Sequence, residues 1–190
     1  MKWYYVVFLI FFIVLSCITI YNAVMPQNYN GNGISFDYPG TWIKLNQNQL
    51  NNTNESMQSD LVAVGDPNSA HNENIIVIVQ KTEKIGTLDE IVTASKDELA
   101  KDWGAVMHSD NIIKVDGRDA HDIIYTTDSR SNKKERMVIF DKNNMVYCII
   151  MGGSISAFDD QKDNFDLIVN SLRLLNSTIG YLKKLEFNQI

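Results

Sequence analysis

Asp116-Gly117 separates two apolar runs, 112–115 and 120–125, and this arrangement constrains the fold more than any other feature of the chain. An Asp-Gly pair supplies the positive φ angles that a two-residue hairpin turn needs, so the flanking runs are predicted to be antiparallel neighbours. Lys142-Asn143-Asn144 repeats the signal between the runs 136–141 and 145–151. Connections this short exclude the long crossover that a parallel pair requires. The later half of the chain is therefore predicted to be a meander of antiparallel strands.

Strands are also expected earlier. Ile34, Phe36 and Tyr38 alternate with Ser35 and Asp37, the period-two pattern of a half-buried strand. Pro39-Gly40 then turns the chain, and a second apolar segment runs from Trp42 to Leu45. A short strand at 61–65 closes on the turn signal Asp66-Pro67-Asn68, and the β-branched run 75–79 has the composition of a central strand covered on both faces. Between the strands the helical signals are explicit. Thr87 is an N-cap, Glu90 completes a capping box, and Gly104 supplies the stop. Leu88, Ile91, Val92, Ser95, Leu99 and Trp103 recur at helical spacing. A second helix is predicted over 158–174, with Phe165, Ile168, Val169, Leu172 and Leu175 on one face. The order of elements predicts an α+β fold, an antiparallel β-sheet flanked by helices.

The N-terminus belongs to a different environment. Residues 3–24 hold no charge, and about 22 such residues suffice to cross a hydrocarbon core that needs ~20. Lys2 is the only charge before the run and the next basic residue is Lys44, so the N-terminus is expected in the cytoplasm and the remainder outside. Trp3, Tyr4, Tyr5 and Tyr21 suit the two interfaces. This predicts a single-pass anchor in the cell membrane over 1–25, with lipid as the partner of residues 3–24. Two alternatives stay open: cleavage as a signal peptide, and lipidation at Cys17 through the faint lipobox Val14-Leu15-Ser16-Cys17. Residues 26–32, uncharged and rich in Asn and Gly, are expected to be a flexible linker. The α+β domain is then placed at 33–175 and a tail at 176–190. The polar run 46–59 reads as a surface loop, and Asn51, Asn54 and Asn176 match the N-glycosylation pattern.

Composition excludes several functions. With a net charge of −6 and no basic stripe, the chain is not expected to bind nucleic acid. Cys17 and Cys148 lie in separate environments, so no disulfide framework is expected; Cys148 reads as a small core residue. His71, His108 and His121 lack the spacing of a metal motif. His121 stands beside Asp122, yet adjacent strand residues face opposite ways. Ser154 follows Gly152-Gly153 without a local base, and Gly31-Asn32-Gly33 precedes a strand rather than a helix, which is the wrong context for a phosphate loop. Asp159, Asp160 and Asp163 cluster where helix-dipole complementarity accounts for them. Arg130, Lys133, Lys134 and Arg136 read as a solvated basic hairpin tip. No enzyme activity and no cofactor are expected, and a metal site is left undetermined.

The chain resembles the PsbP-like family. The resemblance rests on Ile34-Ser35-Phe36-Asp37-Tyr38-Pro39 with Trp42, on Val62-Ala63-Val64-Gly65, on Leu88-Asp89-Glu90, on Asp116-Gly117 with Ala120-His121, and on Phe165 and Ile168 leading into Asn170-Ser171-Leu172. It implies an α/β/α sandwich around an antiparallel sheet and non-enzymatic work beside another protein. With its apolar N-terminus, the chain is most similar in kind to anchored PsbP-related proteins of archaea and bacteria. No ion-binding residue of the family is matched here. The expected function is an extracytoplasmic, non-catalytic domain that binds or assists an envelope protein; the alternative is a sensor of a small ligand or divalent cation.

Overall fold

The computed structural model describes residues 7–8, 10–16, 25–45, 60–69, 75–127 and 133–175. The elements run β1 (Gln27–Gly31), β2 (Ile34–Tyr38), β3 (Ile43–Leu45), β4 (Asp60–Gly65), β5 (Ile76–Glu83), α1 (Leu88–Trp103), β6 (Val106–Val115), β7 (Arg118–Thr127), β8 (Lys133–Lys142) and β9 (Met145–Ser154). A short α2 (Ile155–Phe158), a 3-10 turn (Asp159–Gln161), α3 (Lys162–Ser171) and β10 (Arg173–Leu174) complete the order. The fold is mixed α+β with antiparallel sheets and few helices.

Three hairpins share one turn chemistry. Asn32-Gly33, Asp116-Gly117 and Asn143-Asn144 all have positive φ at both central positions, from 49° to 80°. Such turns match the right-handed twist of the strands they join. Strands β3 to β9 form a seven-stranded sheet in the order β3-β4-β5-β9-β8-β7-β6, with every pairing antiparallel.

The expectation of one sheet is corrected. Strand β2 stands in a second, three-stranded sheet, β1-β2-β10. The linker expected at 26–32 is corrected with it: Gln27–Gly31 forms β1, paired in register from Gln27 with Tyr38 to Gly31 with Ile34. Asn-Gly is the strongest short hairpin signal, and here it acts at Asn32-Gly33. The second helix is also shorter than predicted. Leu172 leaves helical geometry and Arg173–Leu174 pairs with Ser35 and Ile34, because the chain end completes the small sheet. Strand β9 continues through Gly152-Gly153 to Ser154, whose hydroxyl then caps α2.

The large sheet is covered on both faces. On one side α1 lies over Ile123, Tyr125, Met137, Ile139 and Val146 through Val92. On the other, α3 and the small sheet share a layer whose core holds Ile34, Phe36, Trp42, Val138, Phe140, Ile149, Phe165 and Ile168. Strand β8 serves both cores, alternating Met137 and Ile139 toward α1 with Val138 and Phe140 toward α3. This is the chemistry of a strand buried on two faces.

Residues 7–8 and 10–16 are helical. Among the described residues no helix is long and apolar enough to cross a membrane. Residues 17–24 of the apolar run lie outside the described residues, as do Cys17, the sequons at Asn51, Asn54 and Asn176, His71 and Arg130.

Candidate functional site

The α3 face of strands β7 and β8 carries a charged cleft of about 230 Å³. Its walls are Asp122, Lys134, Arg136, Asp159, Lys162 and Asp166, and its apolar lining is Ile124, Phe158 and Phe165. Strand register places the first members. Ile124 is opposite Arg136 and Asp122 is opposite Val138, so Asp122 and Arg136 share a face as diagonal neighbours. The turn after α2 delivers Asp159, and one face of α3 delivers Lys162, Phe165 and Asp166.

Arg136 is the hub. Its Nε and Nη2 donate to the two oxygens of Asp122 at 2.7 and 2.9 Å, and Nη1 donates to Asp166 at 2.6 Å. Lys162 donates to the other oxygen of Asp166 at 2.6 Å. At the rim, Lys134 donates to Asp159 at 2.7 Å and lies 5.0 Å from the centre of the Phe158 ring. Burial works against the charge of Arg136, but the hydrogen bonds to Asp122 and Asp166 outweigh it and hold the guanidinium above its ordinary value. Burial likewise favours a neutral Asp166, and the hydrogen bonds from Lys162 and Arg136 reverse that and keep its carboxyl low. Three carboxylates thus meet three cations. Asp166, held ionised, is a poor proton donor at neutral pH.

A second polar cluster lies on the opposite face of the same sheet, as strand alternation requires. His121 contacts Asp110 through Nδ1 at 3.0 Å and Asp89 through Nε2 at 3.2 Å. Lys96 donates to the second oxygen of Asp110 at 2.8 Å. Asp89 and Lys96 come from α1, Asp110 from β6 and His121 from β7.

The other residues singled out in the sequence take local roles. His108 bonds the Thr126 hydroxyl at 3.0 Å. Cys148 packs partly buried against the cluster under α1. Among the described residues, no group of three His, Cys, Asp or Glu side chains is placed to hold a metal ion. The solvated basic tip is corrected: Arg136 is only 9 % exposed and is bound on both sides by carboxylates. Asp122 and Asp166 were not visible as members of a site. The available signal was Asp122 itself, an acid on the core-facing side of an apolar strand, which burial permits only with a partner.

The sequence matches the model of the PsbP-like protein family over residues 9–174. No curated protein matches it. The fold is similar to that of cyanobacterial PsbP (CyanoP) from Synechocystis, at 16% identity and a TM-score of 0.58, covering 78% of this chain and 92% of that one. It is also similar to LpqN of Mycobacterium tuberculosis, described as involved in cell envelope biogenesis, at 13% identity and a TM-score of 0.53, covering 80% and 90% of the two chains. A Bacteroides thetaiotaomicron protein is similar over 82% of this chain and 50% of its own, at 12% identity and a TM-score of 0.50.

Proposed function

This chain belongs to the PsbP-like protein family, and we propose that it is a non-catalytic binding module, tethered to the cell membrane by its apolar N-terminus, that docks on an envelope protein. One observation carries the reading: the charges in its cleft are committed to one another. Asp122, Asp159 and Asp166 each hold a cation at 2.6–2.9 Å. Such pairing favours a fixed shape over proton exchange with a substrate. The envelope role described for LpqN, a structural relative, is consistent with it. The uncharged run 3–24, with Lys2 before it and no basic residue until Lys44, supports a cytoplasmic N-terminus and an external domain.

Crosslinking in intact membranes followed by mass spectrometry tests the docking. A defined heteromeric product is expected; recovery of the monomer alone would sink the reading. Alkaline extraction of the membranes tests the tether, with the full chain retained and a chain lacking residues 1–24 released.

The cleft itself favours a second reading, a sensor of a small organic ligand held on Phe158 and Phe165. Chemical-shift changes confined to the cleft on adding a small-metabolite library would support it over the first. Calorimetry with divalent ions addresses the cation version, which predicts heat on binding.

A further inference from the structure

His121 is 16 % exposed and, together with the Lys96–Asp110 pair, links α1 to the β6–β7 hairpin. We infer that it acts as a proton-operated latch, holding the first turn of α1 to the sheet when its ring is protonated and releasing that turn when the ring is neutral. Protonation changes the number of donors on the ring. A neutral imidazole has one N–H and an imidazolium has two. Carboxylates face both ring nitrogens, so only the charged ring donates on both sides.

The two arms differ, which decides the one that opens. Asp110 is sheltered at 30 % exposure and is also bound by Lys96, whereas Asp89 is 88 % exposed. A neutral ring keeps its single N–H on the sheltered Asp110. Its Nε2 lone pair then faces the carboxylate of Asp89, and the arm to the helix is lost.

The remaining charges around the ring keep their own partners. Lys114 pairs with Asp119 beside it on β6 and β7, and Lys96 of α1 is held by Asp110. From β8 the opposite residue is Ile139, and Asp141 beyond it pairs with Lys84. Burial would raise the Asp110 carboxyl, but the hydrogen bonds from Lys96 and His121 outweigh it and hold it below its ordinary value.

Apart from that arm, the first turn of α1 is held to the sheet by two partly buried side chains, Leu88 and Ile91. Val92 is the one α1 residue in the buried core, with Leu88, Ile91 and Leu99 partly buried against it. The capping box of Thr87 and Glu90 closes the turn on itself and does not reach the sheet.

Hydrogen exchange of the full-length chain in detergent micelles, corrected for the intrinsic pH dependence of exchange, tests the latch at the amides of Ile91 and Val92. Protection is expected to be about two- to fivefold higher at pH 5.5 than at pH 8, the scale of a part-exposed charge pair. Asp89→Ala should bring that ratio to about one while leaving the amide of Val138 protected. His121→Gln should do the same, and His108→Gln should preserve the ratio. A ratio of one in the unaltered chain, or a full ratio in Asp89→Ala, would overturn the proposal. Asp89 is exposed, so this variant decides the matter even where His121→Gln fails to fold.

Discussion

Arg136 and Asp122 are 9 % exposed and bonded side-on through two contacts, so each needs the other to remain charged at that depth. Removing one partner strands a buried charge. Arg136→Met is expected to cost about 3–5 kcal/mol of unfolding free energy, most of it recovered in the double variant Arg136→Met with Asp122→Leu. Urea titration of the three variants measures this, and an unrescued double variant would contradict it. Acid stability follows from the same type of group. Asp110 and Asp166 are held below the ordinary carboxylate range, each because hydrogen bonds from cations overcome the effect of burial. A carboxyl whose folded value is depressed stabilises the fold fully above its unfolded value, about 4, and loses that contribution as pH falls through the folded value. Urea midpoints should therefore drop between pH 5 and pH 2, and Asp166→Asn should flatten part of the drop. In the sequence Arg136 looked like the last member of a basic run. Its true surroundings depend on the pairing of β7 with β8 and on α3, which a linear reading does not align.

The best-read element is α1. Thr87 accepts from the Glu90 amide, the Glu90 carboxylate accepts from the Thr87 amide, and Gly104 takes the left-handed C-terminal position at φ 61°. These are contacts within a few residues, and local sequence specifies them fully. Thr87→Ala is expected to cost about 1 kcal/mol, read from the thermal midpoint and from faster exchange in the first turn of α1. The least well-read elements are β1 and β10. Polar Gln27, Asn28 and Asn30 look like linker, and only Tyr29 among the five β1 residues is buried. Strand β10 has two residues and exists because β2 presents a free edge. At Gly33 the φ of +80° strains any side chain even though the space around it is open. Gly33→Val should thus cost about 1–2 kcal/mol and loosen the β1–β2 hairpin, measurable as faster exchange at Ile34 and Phe36.

At the scale of the whole molecule, one sheet separates two cores, and each core meets a different charged cluster. Phe165 sits in the core under α3, edge-on to Trp42 at 6.3 Å and against Phe158 at 5.4 Å. Phe165→Ala is expected to cost about 3–5 kcal/mol and to open the charged cleft from below, since Phe165 also lines it. A calorimetric scan checks the stability and the chemical shift of the Arg136 guanidinium checks the cleft. By itself, the sequence determined the hairpins at Asp116-Gly117 and Asn143-Asn144, the caps of α1, the apolar faces and the family. All of these rest on contacts between near neighbours or on periodicity. Only the tertiary structure decided that β2 leaves the main sheet for one of its own, and that Asp122 meets Arg136 while His121 meets Asp110 and Asp89. Those outcomes depend on strand register and on pairings across 11 to 140 residues, where the energy lies in burial and charge matching that no local pattern encodes.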